Sequence, residues 1–207
     1  MFFGVLLARP MGLKAEENAL VLPLLATQIL WINLATDGAP ALALGLDPVD
    51  IAVMHLQPRP RSESVITRKM WFGIFYAGAV MAILTLLVLD SGLPGGLIEG
   101  SGDMRYAQTL AFTTLMLAQL FNVFNARSDT QSALHGLFRN HWLWAAIGTS
   151  LALQFAVVYL PFLQQAFSTV SLGFGDWAEC ATVASLVLWA RELSKVVARR
   201  MARHGQT

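Results

Sequence analysis

An ionisable side chain inside a long apolar segment most constrains what this chain can fold into. Residues 19–44 are long enough to cross a bilayer, for which about 20 residues are needed, yet they contain Asn33, Thr36 and Asp37. A charge near the bilayer centre costs about 2.5–3.5 kcal/mol on insertion scales. Judged from the sequence, Asp37 is the one acidic residue well inside a hydrophobic segment, and we predict that it has a functional role.

The composition is typical of an integral membrane protein. Hydrophobic residues make up 56% of the 207 residues and charged residues 13%, against about 25% charged in ordinary soluble domains. The net charge of +1 does not indicate nucleic-acid binding. The single cysteine, Cys180, excludes an internal disulfide and a cysteine-based metal site. We therefore expect the lipid bilayer, and no nucleic acid, among the partners.

Five hydrophobic segments predict an all-α membrane protein, a helix bundle of about five transmembrane helices. Their bounds are near 19–44, 70–89, 106–124, 141–160 and 177–197. The linkers carry charge, Gly or Pro, which is typical of water-exposed turns. Residues 1–12 are too short for a complete span, and we interpret them as the outer end of a further helix, with a short interfacial segment as the alternative. No internal repeat divides the chain, so we expect one domain over 1–207.

The positions of Lys and Arg predict the orientation. If the five segments alternate, most of the basic residues fall on one side, and such residues favour the cytoplasm. This side holds Arg59, Arg61, Arg68, Lys69, Arg127, Arg139, Arg191, Lys195, Arg199, Arg200 and Arg203. We therefore predict a multi-pass protein of the cell (plasma) membrane, with the loop 47–69 and the C-terminus cytoplasmic.

The polar residues of the first span are spaced as a cation site requires. Asn33, Thr36 and Asp37 would share one face of an α-helix. Pro40 lacks an N–H and clashes with the carbonyl four residues back, so with Gly38 it is predicted to disrupt the helix directly after Asp37. Carboxylate, amide, hydroxyl and freed carbonyl oxygens suit a hard cation such as Ca²⁺ and argue against Zn²⁺ or Cu⁺. The alternative is that these groups only hydrogen-bond neighbouring helices.

A second polar helix, near 106–124, offers neutral oxygens. Gln119 and Asn122 are three positions apart and would share one face, so they are further candidate ligands. Taken alone they are better explained as hydrogen-bonding groups between helices. We assign no function to Gln154, a single polar group in the fourth span.

Residues 28–45 closely resemble the sixth transmembrane helix of the P-type cation-transporting ATPases, nearest to the calcium-type pumps. The resemblance rests on Asn33-Leu34-Ala35-Thr36-Asp37-Gly38-Ala39-Pro40. The residues that follow, Asp47-Pro48, Asp50-Ile51, Met54 and Pro58-Arg59, are similar to the loop between helices six and seven of that family. Phe112-Thr113-Thr114 and residues 119–127 look like its eighth helix. The resemblance covers essentially the whole chain, as the last five helices and the outer end of the fifth.

The resemblance implies roles for individual residues. Asn33, Thr36 and Asp37 would coordinate the transported cation, with Asp37 supplying the main charge. Gln119 stands where two-site calcium pumps carry a glutamate, a departure that suits one transported ion. Ca²⁺ is the implied cation, and Mn²⁺ is its rival because both take oxygen ligands. The loop 47–61 would face the catalytic headpiece.

Parts of such a pump are absent from the 207 residues, which contain no Asp-Lys-Thr-Gly-Thr phosphorylation motif, no Gly-Asp-Gly motif and no nucleotide domain. We therefore expect the chain on its own not to be an enzyme and to bind Ca²⁺ weakly or not at all, with ATP and Mg²⁺ acting only in the parent pump.

The leading hypothesis for the function is that the chain is the C-terminal transport-domain portion of a cation P-type ATPase, completed by a missing N-terminal half. The alternative is a non-enzymatic membrane partner or regulator of a separate ATPase half or a full-length pump. A free-standing channel or carrier that uses Asp37, and a decayed gene fragment, are further possibilities.

Overall fold

The computed structural model describes residues 22–47, 64, 66–94, 97–98, 100–126 and 137–204, and only the backbone at 68, 69, 137 and 198–204. The predicted partial helix at 1–12 and most of the loop 47–61 lie outside these residues. The regular secondary structure of the described residues is all helical, with no strand among them, which confirms the all-α class. The α-helices are α1 (Ala26–Asn33), α2 (Ala39–Gly45), α3 (Arg68–Ser91), α4 (Met104–Ala126), α5 (His141–Tyr159), α6 (Pro161–Phe167) and α7 (Phe174–His204). A π-helical segment, Leu34–Gly38, joins α1 to α2, and a 3₁₀ turn, Leu137–Arg139, precedes α5.

Three helices in the described part of the chain are long and apolar enough to cross a membrane. They are Met70–Ser91, Met104–Ala126 and His141–Tyr159, and their bounds lie within two residues of the second, third and fourth predicted spans. The first predicted span is divided by the π segment into two short α-helices. The last lies within α7, which is 31 residues long and carries charged side chains from Arg191 onward. The predicted count of about five transmembrane helices therefore stays a prediction.

Helix α4 is the centre of the bundle. It packs most extensively against α7 and α3, while α2 packs against α5. Small side chains line α4, and Ala107, Ala111 and Ala118 are fully buried together with Phe112. Small residues let helix backbones approach closely in membranes, so α4 can take neighbours on several sides.

Two parts of the predicted linkers are more structured than the sequence indicated. Residues 161–176 contain α6, which begins with Pro161 in its first turn and ends where Ser168 takes a left-handed conformation (φ 51°). Proline suits a first helical turn, because its missing N–H would have no partner there. The linker from residue 90 folds back on α3.

Asp90, at the start of a linker predicted to be exposed to water, is instead buried. It lies in the last turn of α3 and is fully buried, and its Oδ2 accepts a hydrogen bond from the Ile98 backbone N–H at 2.9 Å. The loop covers it because Gly100 donates to the Leu93 carbonyl at 3.1 Å. A Cβ on Gly100 would collide with the Ser91 carbonyl oxygen, so this close approach of two backbone segments requires glycine.

Candidate cation site

The helix that carries Thr36 and Asp37 changes its geometry at these residues. Helix α1 ends at Asn33, the next five residues form the π segment, and α2 begins at Ala39 with Pro40 in its first turn. In a continuous α-helix Pro40 would clash with the Thr36 carbonyl, whereas a π turn pairs residues five apart. The predicted disruption directly after Asp37 is confirmed at Gly38, whose ψ of −84° lies outside the α-helical range, but the irregular turn begins at Leu34 and therefore includes Asp37.

A cavity of about 480 Å³ opens beside the π segment. Thr36 and Asp37 line it from the π segment, and Gln119 and Asn122 line it from α4. The third wall is the face of α3 that carries Ile74, Ala77, Gly78 and Met81. Polar groups thus occupy two walls of the cavity and apolar groups occupy the third.

The oxygens of three side chains converge at Thr36. Its Oγ1 lies 2.5 Å from Gln119 Oε1 and 3.5 Å from Asp37 Oδ1. It also lies 2.8 Å from the Ile32 carbonyl oxygen. A hydroxyl carries one hydrogen, so it cannot donate to all of these acceptors at once. An oxygen-rich cluster with few hydrogens is chemically suited to a cation.

Four of the five predicted ligands line the same cavity, and one does not. Asp37 is exposed within the chain, Thr36 is buried, and Gln119 and Asn122 are half-buried. Asn33 is exposed and does not line the cavity. The prediction assumed about 3.6 residues per turn from Asn33 to Asp37, and the wider π turn changes the relative directions of these side chains. The metal-binding roles of all five residues stay predictions.

Asp37 supplies the one carboxylate among the described residues that line this cavity. Within the described residues, no group of three or more His, Cys, Asp or Glu side chains is placed to hold a metal ion. A cation in the cavity would therefore be held by one carboxylate together with hydroxyl and amide oxygens. This set favours a hard cation and provides little charge.

Buried polar residues that the sequence pattern did not single out hold the backbone of the irregular helix. The Ser150 hydroxyl donates to the Ala35 carbonyl at 2.5 Å, and Asn140 Nδ2 donates to the Ala43 carbonyl at 2.8 Å. At the other end, Gln28 Nε2 donates to the Phe167 carbonyl at 3.1 Å. Asn140 could have been found as a helix N-cap, since its Oδ1 accepts from the Leu143 N–H at 3.0 Å. No local signal marks Ser150, because its partner is 115 positions away.

The comparisons with known proteins agree with this architecture. The family described as "Cation transporting ATPase, C-terminus" matches residues 21–197. The calcium-transporting ATPase of Bacillus subtilis (strain 168) is 40% identical over 181 residues, which are 85% of this chain and 20% of that protein. Calcium-transporting ATPase 1 of Yarrowia lipolytica is 37% identical over 174 residues, 84% of this chain and 18% of that protein.

A human protein gives a similar result. Calcium-transporting ATPase type 2C member 2 of Homo sapiens is 35% identical over 176 residues, 84% of this chain and 18% of that protein. The chain thus spans about a fifth of the length of these relatives. The family match covers most of the chain, and it confirms the resemblance read from the polar helix. This chain belongs to the family of P-type cation-transporting ATPases, as a membrane region that corresponds to the C-terminus of its calcium-transporting members.

Proposed function

We propose that this chain is the C-terminal transport-domain portion of a Ca²⁺-transporting P-type ATPase and supplies part of its membrane cation site. The observation that supports this most directly is the cavity in which Thr36, Asp37 and Gln119 bring their oxygens together. The relatives named above are calcium-transporting ATPases. Asp37 provides the charge that attracts the cation, and Asn33, Thr36, Gln119 and Asn122 are the candidate neutral ligands.

The described cavity is an incomplete Ca²⁺ site. Ca²⁺ takes about six to eight oxygen ligands, whereas the cavity offers one carboxylate, one hydroxyl and two amides. We propose that the remaining ligands come from parts of the pump other than these 207 residues. Mn²⁺, which also takes oxygen ligands, is the rival transported cation.

ATP hydrolysis belongs, in this proposal, to the headpiece of the parent pump. The 207 residues contain no phosphorylation motif, so on their own they would neither hydrolyse ATP nor transport. The loop 47–61 would face that headpiece, and ATP and Mg²⁺ would act there. We propose that the chain lies in the plasma membrane with a cytoplasmic C-terminus and that its partner is an N-terminal half or a full-length pump.

The site is tested by equilibrium Ca²⁺ binding to the 207-residue chain in lipid nanodiscs. We expect binding weaker than micromolar, further reduced by Asp37→Asn. Glu179→Gln is the matched control, because this carboxylate is exposed on α7 and does not line the cavity. Ca²⁺ binding that is the same in wild type and Asp37→Asn would show that the cation is held elsewhere. Micromolar affinity lost in Asp37→Asn would show that the chain alone forms a complete site.

The assembly is tested by an immunoblot of native membranes with an antibody against residues 191–207. A band several times heavier than 22.6 kDa is expected if the chain is a portion of a pump. A band near 22.6 kDa that co-purifies with a separate ATPase would favour the non-enzymatic partner instead.

A further inference from the structure

We propose that Ser150 is a positioning residue of the cation site, which fixes the π segment and thereby sets where Thr36 and Asp37 stand in the cavity. The effect on cation binding rests on the proposed function. The effect on the π segment rests only on the hydrogen bond that α5 donates to it. Ser150 does not line the cavity, so it acts through the backbone and not as a ligand.

The contact between Ser150 and the π segment is buried and direct. The Ser150 hydroxyl donates to the Ala35 carbonyl oxygen at 2.5 Å, and the two residues are 1% and 3% exposed. The hydrogen bond joins positions that are 115 residues apart in the chain. It is therefore a tertiary contact between α5 and the π segment.

Pro40 explains why the Ala35 carbonyl needs an outside donor. In a π turn a carbonyl pairs with the N–H five residues ahead, which for Ala35 is position 40. Proline has no N–H, so this pattern leaves the Ala35 carbonyl without a partner in its own helix. Unpaired backbone groups are especially unfavourable at membrane depth. The Ser150 hydroxyl supplies the hydrogen that Pro40 lacks.

This hydrogen bond lies directly before Thr36 and Asp37, the two residues of the π segment that line the cavity. The Ala35 carbonyl belongs to the peptide unit that continues into Thr36, the first residue of the pair that lines the cavity. On the other side of Pro40, Asn140 holds the Ala43 carbonyl at 2.8 Å. Helix α5 and its cap thus hold the irregular helix on both sides of the proline, and Ser150 is the contact nearer to Asp37.

Thr149, next to Ser150 on α5, does not contact the π segment through its hydroxyl. Thr149 is exposed, and its hydroxyl donates to the Ala145 carbonyl in its own helix at 2.9 Å. Thr149→Ala is therefore a matched control for Ser150→Ala: both remove a hydroxyl from adjacent positions, and only one removes a contact to the π segment.

The positioning role is tested by amide hydrogen exchange of the 207-residue chain in nanodiscs. In Ser150→Ala we expect exchange of residues 34–42 to rise about three- to tenfold, as the loss of one hydrogen bond implies. Ser150→Thr retains the hydroxyl and should restore the wild-type rate, and Thr149→Ala should leave it unchanged. An unchanged rate in Ser150→Ala, a rise of the same size in α4, or a failure of Ser150→Thr to rescue would each overturn the proposal.

A second readout separates this inference from the proposed function. Binding of Mn²⁺ alone, followed by electron paramagnetic resonance, should weaken about three- to tenfold in Ser150→Ala and recover in Ser150→Thr. If Asp37→Asn abolishes Mn²⁺ binding but Ser150→Ala does not weaken it, the positioning role is overturned while the cation site stands. If Mn²⁺ binds to wild type and to Asp37→Asn with the same affinity, the cation site fails. In that case, and also if Mn²⁺ binds to neither, hydrogen exchange alone decides the role of Ser150.

Discussion

At the scale of single residues, the cavity beside the π segment is notable for its low charge, and this bears on the proposed cation site. Among the described residues that line it, Asp37 is the one carboxylate, and a hydrogen bond between the two polar walls joins Thr36 Oγ1 to Gln119 Oε1 at 2.5 Å. The number of charged ligands is one of the properties that set the affinity of a Ca²⁺ site. The neutral side chain at position 119 is therefore expected to limit the affinity of the cavity.

Gln119→Glu should strengthen Ca²⁺ binding, on the order of tenfold, because it adds a second carboxylate to the same cavity. Gln119→Leu removes the oxygen at similar size and should weaken binding. Both are measured by equilibrium Ca²⁺ binding in nanodiscs. An equal affinity in Gln119→Glu and Gln119→Leu would show that this side chain does not contact the cation.

At the scale of the helices, irregular segments are held by tertiary hydrogen bonds. The π segment relies on Ser150, and the turn after α3 relies on Asp90, whose Oδ2 accepts from the Ile98 N–H. In both places a backbone group of an irregular segment is paired with a buried side chain of a helix. Polar side chains of these spans therefore have structural roles that hydropathy alone does not indicate.

Pro40→Ala should relax the π turn toward an α-helix, because it restores an N–H at position 40 and removes the clash with the Thr36 carbonyl. We expect slower amide exchange over residues 34–42 and weaker Ca²⁺ binding, since Thr36 and Asp37 would turn relative to α4. In the Pro40→Ala background, Ser150→Ala should have a much smaller effect than in the wild type. If the effects of Pro40→Ala and Ser150→Ala on amide exchange add in the double variant, the two residues do not act on the same carbonyl, and the proposal is contradicted.

Asp90→Ala should destabilise the chain by about 1–3 kcal/mol, because it removes a fully buried side chain and the acceptor that it offers to the part-buried Ile98 N–H. Asp90→Asn retains a side-chain oxygen and should cost less. Thermal unfolding in detergent measures both, with Glu179→Gln as an exposed carboxylate control. Similar melting temperatures for Asp90→Ala and wild type would show that the loop is held by its glycine contacts alone.

At the scale of the whole molecule, α4 is the element on which the bundle depends. It packs against α3 and α7 and lines the cavity with Gln119 and Asn122. Orientation in the bilayer is a separate property, predicted from the distribution of Lys and Arg. It can be tested without disturbing the core, because the single cysteine, Cys180, is fully buried and should not react in the folded chain.

Cysteine labelling of the intact cell should therefore report the topology. A membrane-impermeant maleimide is expected to label Ser101→Cys, in the loop before α4, from outside the cell. Thr207→Cys should be labelled only after the membrane is permeabilised. Wild type, with Cys180 alone, is the background control, and labelling of Thr207→Cys in intact cells would reverse the proposed orientation.

The sequence by itself determined three of the long helices and predicted which residues are most suited to bind a cation. Helices α3, α4 and α5 lie within two residues of the predicted spans, because a chain in lipid must satisfy its backbone hydrogen bonds within each segment, and apolar length is therefore a local signal. Asp37 and Thr36 were selected for the same local reason: polar groups stand out in an apolar helix. Even the irregular turn was expected from Gly38 and Pro40, although it begins earlier than predicted, at Leu34.

Only the tertiary structure decided which of these groups meet. Gln119 reaches Thr36 across 83 positions and Ser150 reaches Ala35 across 115, and no local pattern encodes such pairs. The burial of Asp90 depends on a loop that folds back over it. The π turn, which leaves Asn33 outside the cavity, depends on a donor in another helix. Periodicity assumes an ideal helix, whereas the geometry of this site is set by how its helices pack.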